Sequence, residues 1–157
     1  MKNADIAKIF IVEDEPFFAN LINYDLEANY FDGIKVFFSG EDCLKNLDLK
    51  PKVVILDHQL PGMTGLEVLK KIKDHDPKIH VIFLSGQSGA QLAIGAFKQG
   101  ALDFIVKGDN AFQEVRELLQ KIFKKPSNGK ITGTQGSKSS VKAASGSKSE
   151  KRADIVK

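Results

Sequence analysis

Short apolar runs alternate with amphipathic stretches along the first 124 residues. Ile9-Phe10-Ile11-Val12 is a continuous apolar run with β-branched members, the pattern of a strand buried on both faces. Pro16 stands where a helix's first turn tolerates proline. Phe17, Leu21, Tyr24 and Ala28 follow at helical spacing, which predicts a helix over 16–30. Asp32-Gly33 is a turn, and Ile34 to Phe38 reads as a second strand. Ser39 and Asp42 have the spacing of a helix cap and its acidic partner, so a short helix opens there and runs to about Leu47. Val53 to Leu56 is a third strand, ending at Asp57. Thr64 and Glu67 form a capping-box pattern for a helix to about Asp74. Ile79 to Leu84 is the fourth strand. Residues 88–99 read as a helix stopped by Gly100. Leu102 to Val106 is the fifth strand. Asp109 or Asn110 opens a last helix to about Lys124, with Phe112, Val115, Leu118, Leu119 and Ile122 as its apolar stripe.

Five strands alternating with five helices predict an α/β fold with a parallel sheet covered on both faces. Right-handed crossovers leave few topologies. A doubly wound open sheet is favoured, because a closed barrel needs eight such units and more chain. Sites in open sheets of this kind lie at the carboxyl ends of the strands.

Composition divides the chain in two. The net charge is +3 over 157 residues. Residues 1–123 hold 14 Lys+Arg and 18 Asp+Glu, a net −4, whereas residues 124–157 hold 9 and 2, a net +7. The folded domain is assigned to 1–124 and a basic Ser/Gly/Lys-rich tail to 125–157. That tail has no apolar periodicity, so it cannot offset its ordering entropy and reads as flexible, with a weak helical turn near Glu150 to Lys157. It reads as a solubilising or linker-like segment whose charge could attract a weak anionic partner. Too little patterned sequence remains for a helix-turn-helix output unit.

The apolar runs are strand-sized and far short of a membrane span. Residues Met1 to Lys8 lack a signal-peptide core. Cys43 is the only cysteine, so no intrachain disulfide can form. These features predict a cytoplasmic location. Cys43 itself reads as a small apolar helix residue. His58, His75 and His80 match no metal-ligand spacing. His58 alternates away from Asp57 and reads as a surface or loop residue.

The chemistry concentrates at the strand ends. Strand one ends in Glu13-Asp14-Glu15, strand three in Asp57, strand four in Ser85-Gly86 and strand five in Lys107-Gly108. Any one of these is an ordinary polar loop residue. Together they occupy the rim that the topology predicts for a site. Clustered carboxylates repel unless a cation sits among them. Oxygen ligands with room for water suit Mg²⁺. A lysine and a hydroxyl would hold phosphoryl oxygens, and a central carboxylate would serve as nucleophile.

These segments resemble the receiver domains of two-component response regulators, over roughly residues 7–124. Ile11-Val12-Glu13-Asp14-Glu15-Pro16 is similar to the family's acidic segment. Val54-Ile55-Leu56-Asp57 with Leu60-Pro61-Gly62-Met63-Thr64-Gly65 resembles its phosphoacceptor segment. Phe83-Leu84-Ser85-Gly86 and Gly100 to Lys107 resemble the hydroxyl and lysine segments. The resemblance implies a flavodoxin-like sheet of order 2-1-3-4-5. It implies phosphate acceptance on Asp57 and Mg²⁺ held by Glu13, Asp14, Asp57 and the backbone carbonyl of Gln59. Lys107 would contact the phosphoryl group, Ser85 would move toward it, and Phe104 would act as the aromatic switch. Gln59 and Gln87 would tune the phosphate's lifetime. Implied partners are a histidine kinase or a histidine phosphotransfer domain, and a downstream target docking on the fourth helix, fifth strand and fifth helix.

Two departures stand out. Gly108 follows Lys107 where the family usually has proline with a cis bond, and a cis bond to glycine would cost about 2.5–4 kcal/mol. Glu13-Asp14 replaces the commoner aspartate pair. An FMN-binding flavodoxin would need a phosphate-cradling first loop, but three acids occupy it. An aspartate-nucleophile phosphatase would have a second aspartate where Gln59 stands. No P-loop pattern occurs. The expected function is that of a single-domain response regulator with only self-catalysed phosphoryl acceptance and loss, not an enzyme acting on a separate substrate. A phosphorelay intermediate and an unphosphorylated binding module are the alternatives.

Overall fold

A computed structural model describes residues 7–124. The predicted basic tail, 125–157, lies outside the described residues. The elements are β1 (Ile9–Val12), α1 (Pro16–Ala28), β2 (Ile34–Phe37), α2 (Gly40–Lys45), β3 (Val53–Asp57), α3 (Gly65–His75), β4 (His80–Ser85), α4 (Ala90–Lys98), β5 (Asp103–Val106) and α5 (Ala111–Phe123). A single 3₁₀ turn, Leu47–Leu49, follows α2. The boundary between compact units falls inside α5, after Arg116. The sheet and the site belong to the first unit.

The sheet has the order β2-β1-β3-β4-β5, and every pairing is parallel. This is the doubly wound order expected from the sequence. The central strands β1, β3 and β4 are mostly apolar and buried on both sides, whereas the edge strands β2 and β5 carry Lys35 and Asp103 and are only partly buried. Phe10, Val12, Val54, Leu56, Val81 and Phe83 share one core with residues of α2, α3 and α4. The alternate positions, such as Ile11, Ile55 and Ile82, are equally buried and point the other way.

Local chemistry sets the helix boundaries. Thr64 and Glu67 form a reciprocal cap at α3, the Thr64 side chain accepting from the Glu67 N–H and the Glu67 carboxylate from the Thr64 N–H. The Ser39 hydroxyl accepts from the Asp42 N–H at the start of α2. Gly100 ends α4 at φ +100°, where a side chain would be strained. The predicted second helix is shorter than expected: α2 stops at Lys45, and Leu47–Leu49 continue as the tighter turn.

The helix predicted over 16–30 is α1, but the apolar residues that marked it do not all face the core. Phe17 is 68% exposed and Tyr24 72% exposed, with Leu21 also exposed. The core face of α1 is instead Ala19, Ile22 and Leu26. Both sets repeat at helical spacing, so periodicity alone does not choose between them. Cys43 is fully buried on α2, and burial pushes its thiol up to about 12. Among the described residues no helix is long and apolar enough to cross a membrane.

Candidate functional site

Parallel pairing aligns the strand ends. Asp57, the last residue of β3, is in register with Leu84, and Ser85, the last of β4, with Val106. Glu13 and Asp14 leave β1 on the same rim, and Lys107 leaves β5. The topology therefore converges five predicted site residues without further adjustment.

Asp57 is 4% exposed and Glu13 2% exposed, whereas Asp14 is exposed. One oxygen from each of these three carboxylates lies within 4.8 Å of the others. The Asp57 Oδ2 accepts the Gln59 N–H at 3.0 Å. The Glu13 Oε1 accepts the Glu15 N–H at 3.1 Å. The Lys107 Nζ bridges the remaining oxygens, 2.7 Å from Asp57 Oδ1 and 2.7 Å from Glu13 Oε2. Buried carboxylates without such a partner would be strongly destabilising.

The electrostatics follow from this packing. Burial raises the Glu13 pKa, and the Asp57 charge adds to the rise; the Lys107 hydrogen bond and the Glu15 N–H oppose it. Burial alone would lower the Lys107 pKa. Hydrogen bonds and charge from Asp57 and Glu13 outweigh it, so the ammonium is held above its ordinary range. One cation faces three acids, which leaves the cluster anionic. Carboxylate oxygens with one exposed member fit a hard divalent ion that retains water, which is how Mg²⁺ binds.

Ser85 is fully buried, and its hydroxyl donates to the Gln87 carbonyl and accepts from the Gln87 N–H. Phe104 is half-buried and stacks on Phe83 with centroids 5.9 Å apart. The Lys107–Gly108 bond is trans, since no cis peptide occurs among the described residues. Glu15 caps α1 instead of joining the acid cluster, its side chain accepting from the Phe18 N–H at 2.7 Å. Gly65 packs against the exit of β3: a Cβ there would lie 2.5 Å from the Asp57 carbonyl oxygen.

Two residues differ from, or were missed by, the sequence reading. His58 lies in the loop after β3, as one of its two expected placements had it, but it is half-buried, its ring 6.0 Å from Phe83 and its Nδ1 buried without a hydrogen-bond partner. Alternation does turn it away from Asp57, but the other side of β3 is core. Phe18 places its ring 4.3 Å from the Lys107 Nζ. No local motif marks it, because the contact joins α1 to the end of β5.

The model of the response regulator receiver domain family matches residues 9–122. The chain belongs to that family. As a receiver domain it is 36% identical to the chemotaxis protein CheY of Listeria monocytogenes, over 74% of this chain and 98% of that protein. It is 32% identical to the protein-glutamate methylesterase/protein-glutamine glutaminase of Bacillus licheniformis, over 71% of this chain and only 33% of that protein. Receiver domains of this kind thus match both a short protein and part of a longer one. Among solved structures, the Thermotoga maritima response regulator TrrA in complex with Mg²⁺ and BeF is 29% identical, with a TM-score of 0.66 over 74% of this chain and 98% of that one.

Proposed function

We propose that this receiver domain accepts a phosphoryl group on Asp57 in two-component signalling. The observation that carries the reading is the buried Asp57 carboxylate, set between the Glu13–Asp14 acids and bonded to Lys107. The donor is a phosphohistidine of a kinase or a phosphotransfer domain. An Asp57 oxygen forms the new O–P bond as the N–P bond breaks, and the departing imidazole keeps the electron pair. Positioning and charge stabilisation carry such a transfer. The domain catalyses only its own modification and its reversal.

Glu13, Asp14, Asp57 and the Gln59 carbonyl would hold Mg²⁺, which offsets charge on phosphoryl oxygens. The Mg²⁺ and BeF complex of TrrA supports this assignment. Lys107 supplies a second cation, and the Ser85 hydroxyl a hydrogen bond once released from Gln87. Phe104 reports the change toward the surface of α4 and β5. Ile94, Phe97, Leu102 and Val106 are exposed apolar residues there and would dock a downstream target. The signalling takes place in the cytoplasm.

The test is incubation with Mg²⁺ and acetyl phosphate or beryllofluoride. Intact mass and amide NMR should report modification of the wild type and none of Asp57→Asn. An unmodified wild type would sink the reading. Passage of the phosphoryl group onward to a histidine phosphotransfer domain would assign a relay role, and its retention a switch role.

A further inference from the structure

We infer that Phe18 is a positioning residue for Lys107, holding the ammonium against the site through its ring face. The inference rests on the phosphoryl-accepting reading of the same site and extends it to a residue outside the polar cluster.

The Lys107 ammonium has three N–H donors. Two directions are taken by Glu13 and Asp57, each at 2.7 Å. On another side lies the Phe18 ring, 4.3 Å from Nζ to centroid, well inside the range of a cation–π attraction. The lysine side chain is 24% exposed, so water screens this attraction only partly.

The ring is itself fixed. Phe18 stands in the first turn of α1, where its N–H donates to the Glu15 carboxylate at 2.7 Å. Its ring packs on Phe112 of α5, with centroids 5.6 Å apart and planes inclined at 49°. Asp25 of α1 and Arg116 of α5 pair along the same two helices, Nη1 to Oδ1 at 2.7 Å. This ion pair ties the same two helices together beside the aromatic pair.

An aromatic face differs in kind from the two carboxylates. Asp57 and Glu13 are the groups that phosphoryl transfer and metal binding call upon. When they engage other cations, they lose part of their hold on Lys107. Phe18 is neutral and offers no oxygen. It attracts the ammonium without competing for a metal and without repelling a phosphoryl group. Lys107 then stays beside Asp57 with its donors free to turn to phosphoryl oxygens.

The experiment measures beryllofluoride affinity at fixed Mg²⁺ in the full chain. Phe18→Leu keeps an apolar side chain but removes the ring, and Phe18→Met is a second such variant. Both should weaken beryllofluoride binding about 3- to 30-fold, the range of one cation–π contact. Phe18→Tyr keeps the ring face and should stay within about twofold of wild type. In a Lys107→Ala background, Phe18→Leu should add no further loss, since its partner is gone. The Lys107 side-chain protons should show an upfield ring-current shift in wild type and Phe18→Tyr, absent in Phe18→Leu.

Wild-type affinity in both ringless variants would overturn the inference while leaving the function standing. So would an undiminished loss in the Lys107→Ala background, which marks plain packing. A wild type that binds no beryllofluoride overturns the functional reading and this inference with it.

Discussion

At Glu13 two demands conflict. Folding takes the carboxyl out of water and raises its pKa; the Asp57 charge raises it further, while Lys107 and the Glu15 N–H pull it back. With a folded pKa above the ordinary 4.5, folding favours the protonated form. The stability from this group is fully present below 4.5 and is lost as pH rises through the raised folded value. At the proposed metal site Mg²⁺ would need the carboxylate and so would act in the opposite sense. The rise in Tm given by millimolar Mg²⁺ should therefore shrink as pH falls through the raised folded value toward 4.5. Thermal unfolding with and without Mg²⁺ measures it, and Glu13→Gln should flatten the profile. An equal Tm shift across that window would detach Glu13 from the metal. Residues like Glu13, Asp14, Asp57, Ser85 and Lys107 were legible in the sequence because each is a polar break after an apolar run. Phe18 and His58 were not. Their partners, Lys107 and Phe83, lie far along the chain, and an aromatic beside an acid motif reads as any other apolar residue.

Among the elements, α3 carries the most explicit start signal. Thr64 and Glu67 exchange side-chain and backbone bonds at 3.2 and 3.0 Å. Thr64→Ala should cost about 1 kcal/mol, read as a lower urea midpoint with an unchanged slope. A slope that changes as well would mean that the cap also shapes a partly folded state. Such caps and the β-branched runs made most boundaries readable to within a residue or two. The face of α1 was not readable. Phe17, Leu21 and Tyr24 form one helical stripe and Ala19, Ile22 and Leu26 another, and only packing on the sheet selects the second. The short α2 was overestimated for a related reason. Leu47 continues the apolar pattern and is buried, but from a 3₁₀ turn closed by Lys50 at φ +60°.

For the molecule as a whole, β3 is the centre. It pairs with β1 on one side and β4 on the other, and all five of its residues are buried. Leu56 is fully buried one position before Asp57. Leu56→Ala should cost about 2–5 kcal/mol, a large part of a domain's total of about 5–15 kcal/mol. Urea unfolding would show this as a sharply lowered midpoint, and a loss under about 1 kcal/mol would mean that the core closes over the gap. The parallel order was readable because apolar runs recur between helices, and the site because the order dictates its rim. The bond at Gly108 was left open by sequence because the family's usual proline is missing there; it is trans, the geometry an amide to a non-proline residue favours by about 2.5–4 kcal/mol.

The Lys107–Glu13 pair joins residues 94 positions apart. A ribosome delivers the N-terminal half of a chain first. The acids of β1 and β3 therefore exist well before the ammonium that balances them. Until β5 is made and docked, no phosphate-accepting centre is complete. A chain stalled or cut before residue 107 would carry Asp57 yet stay silent, so in the proposed role the last strand vouches for the whole, and unfinished copies send no signal.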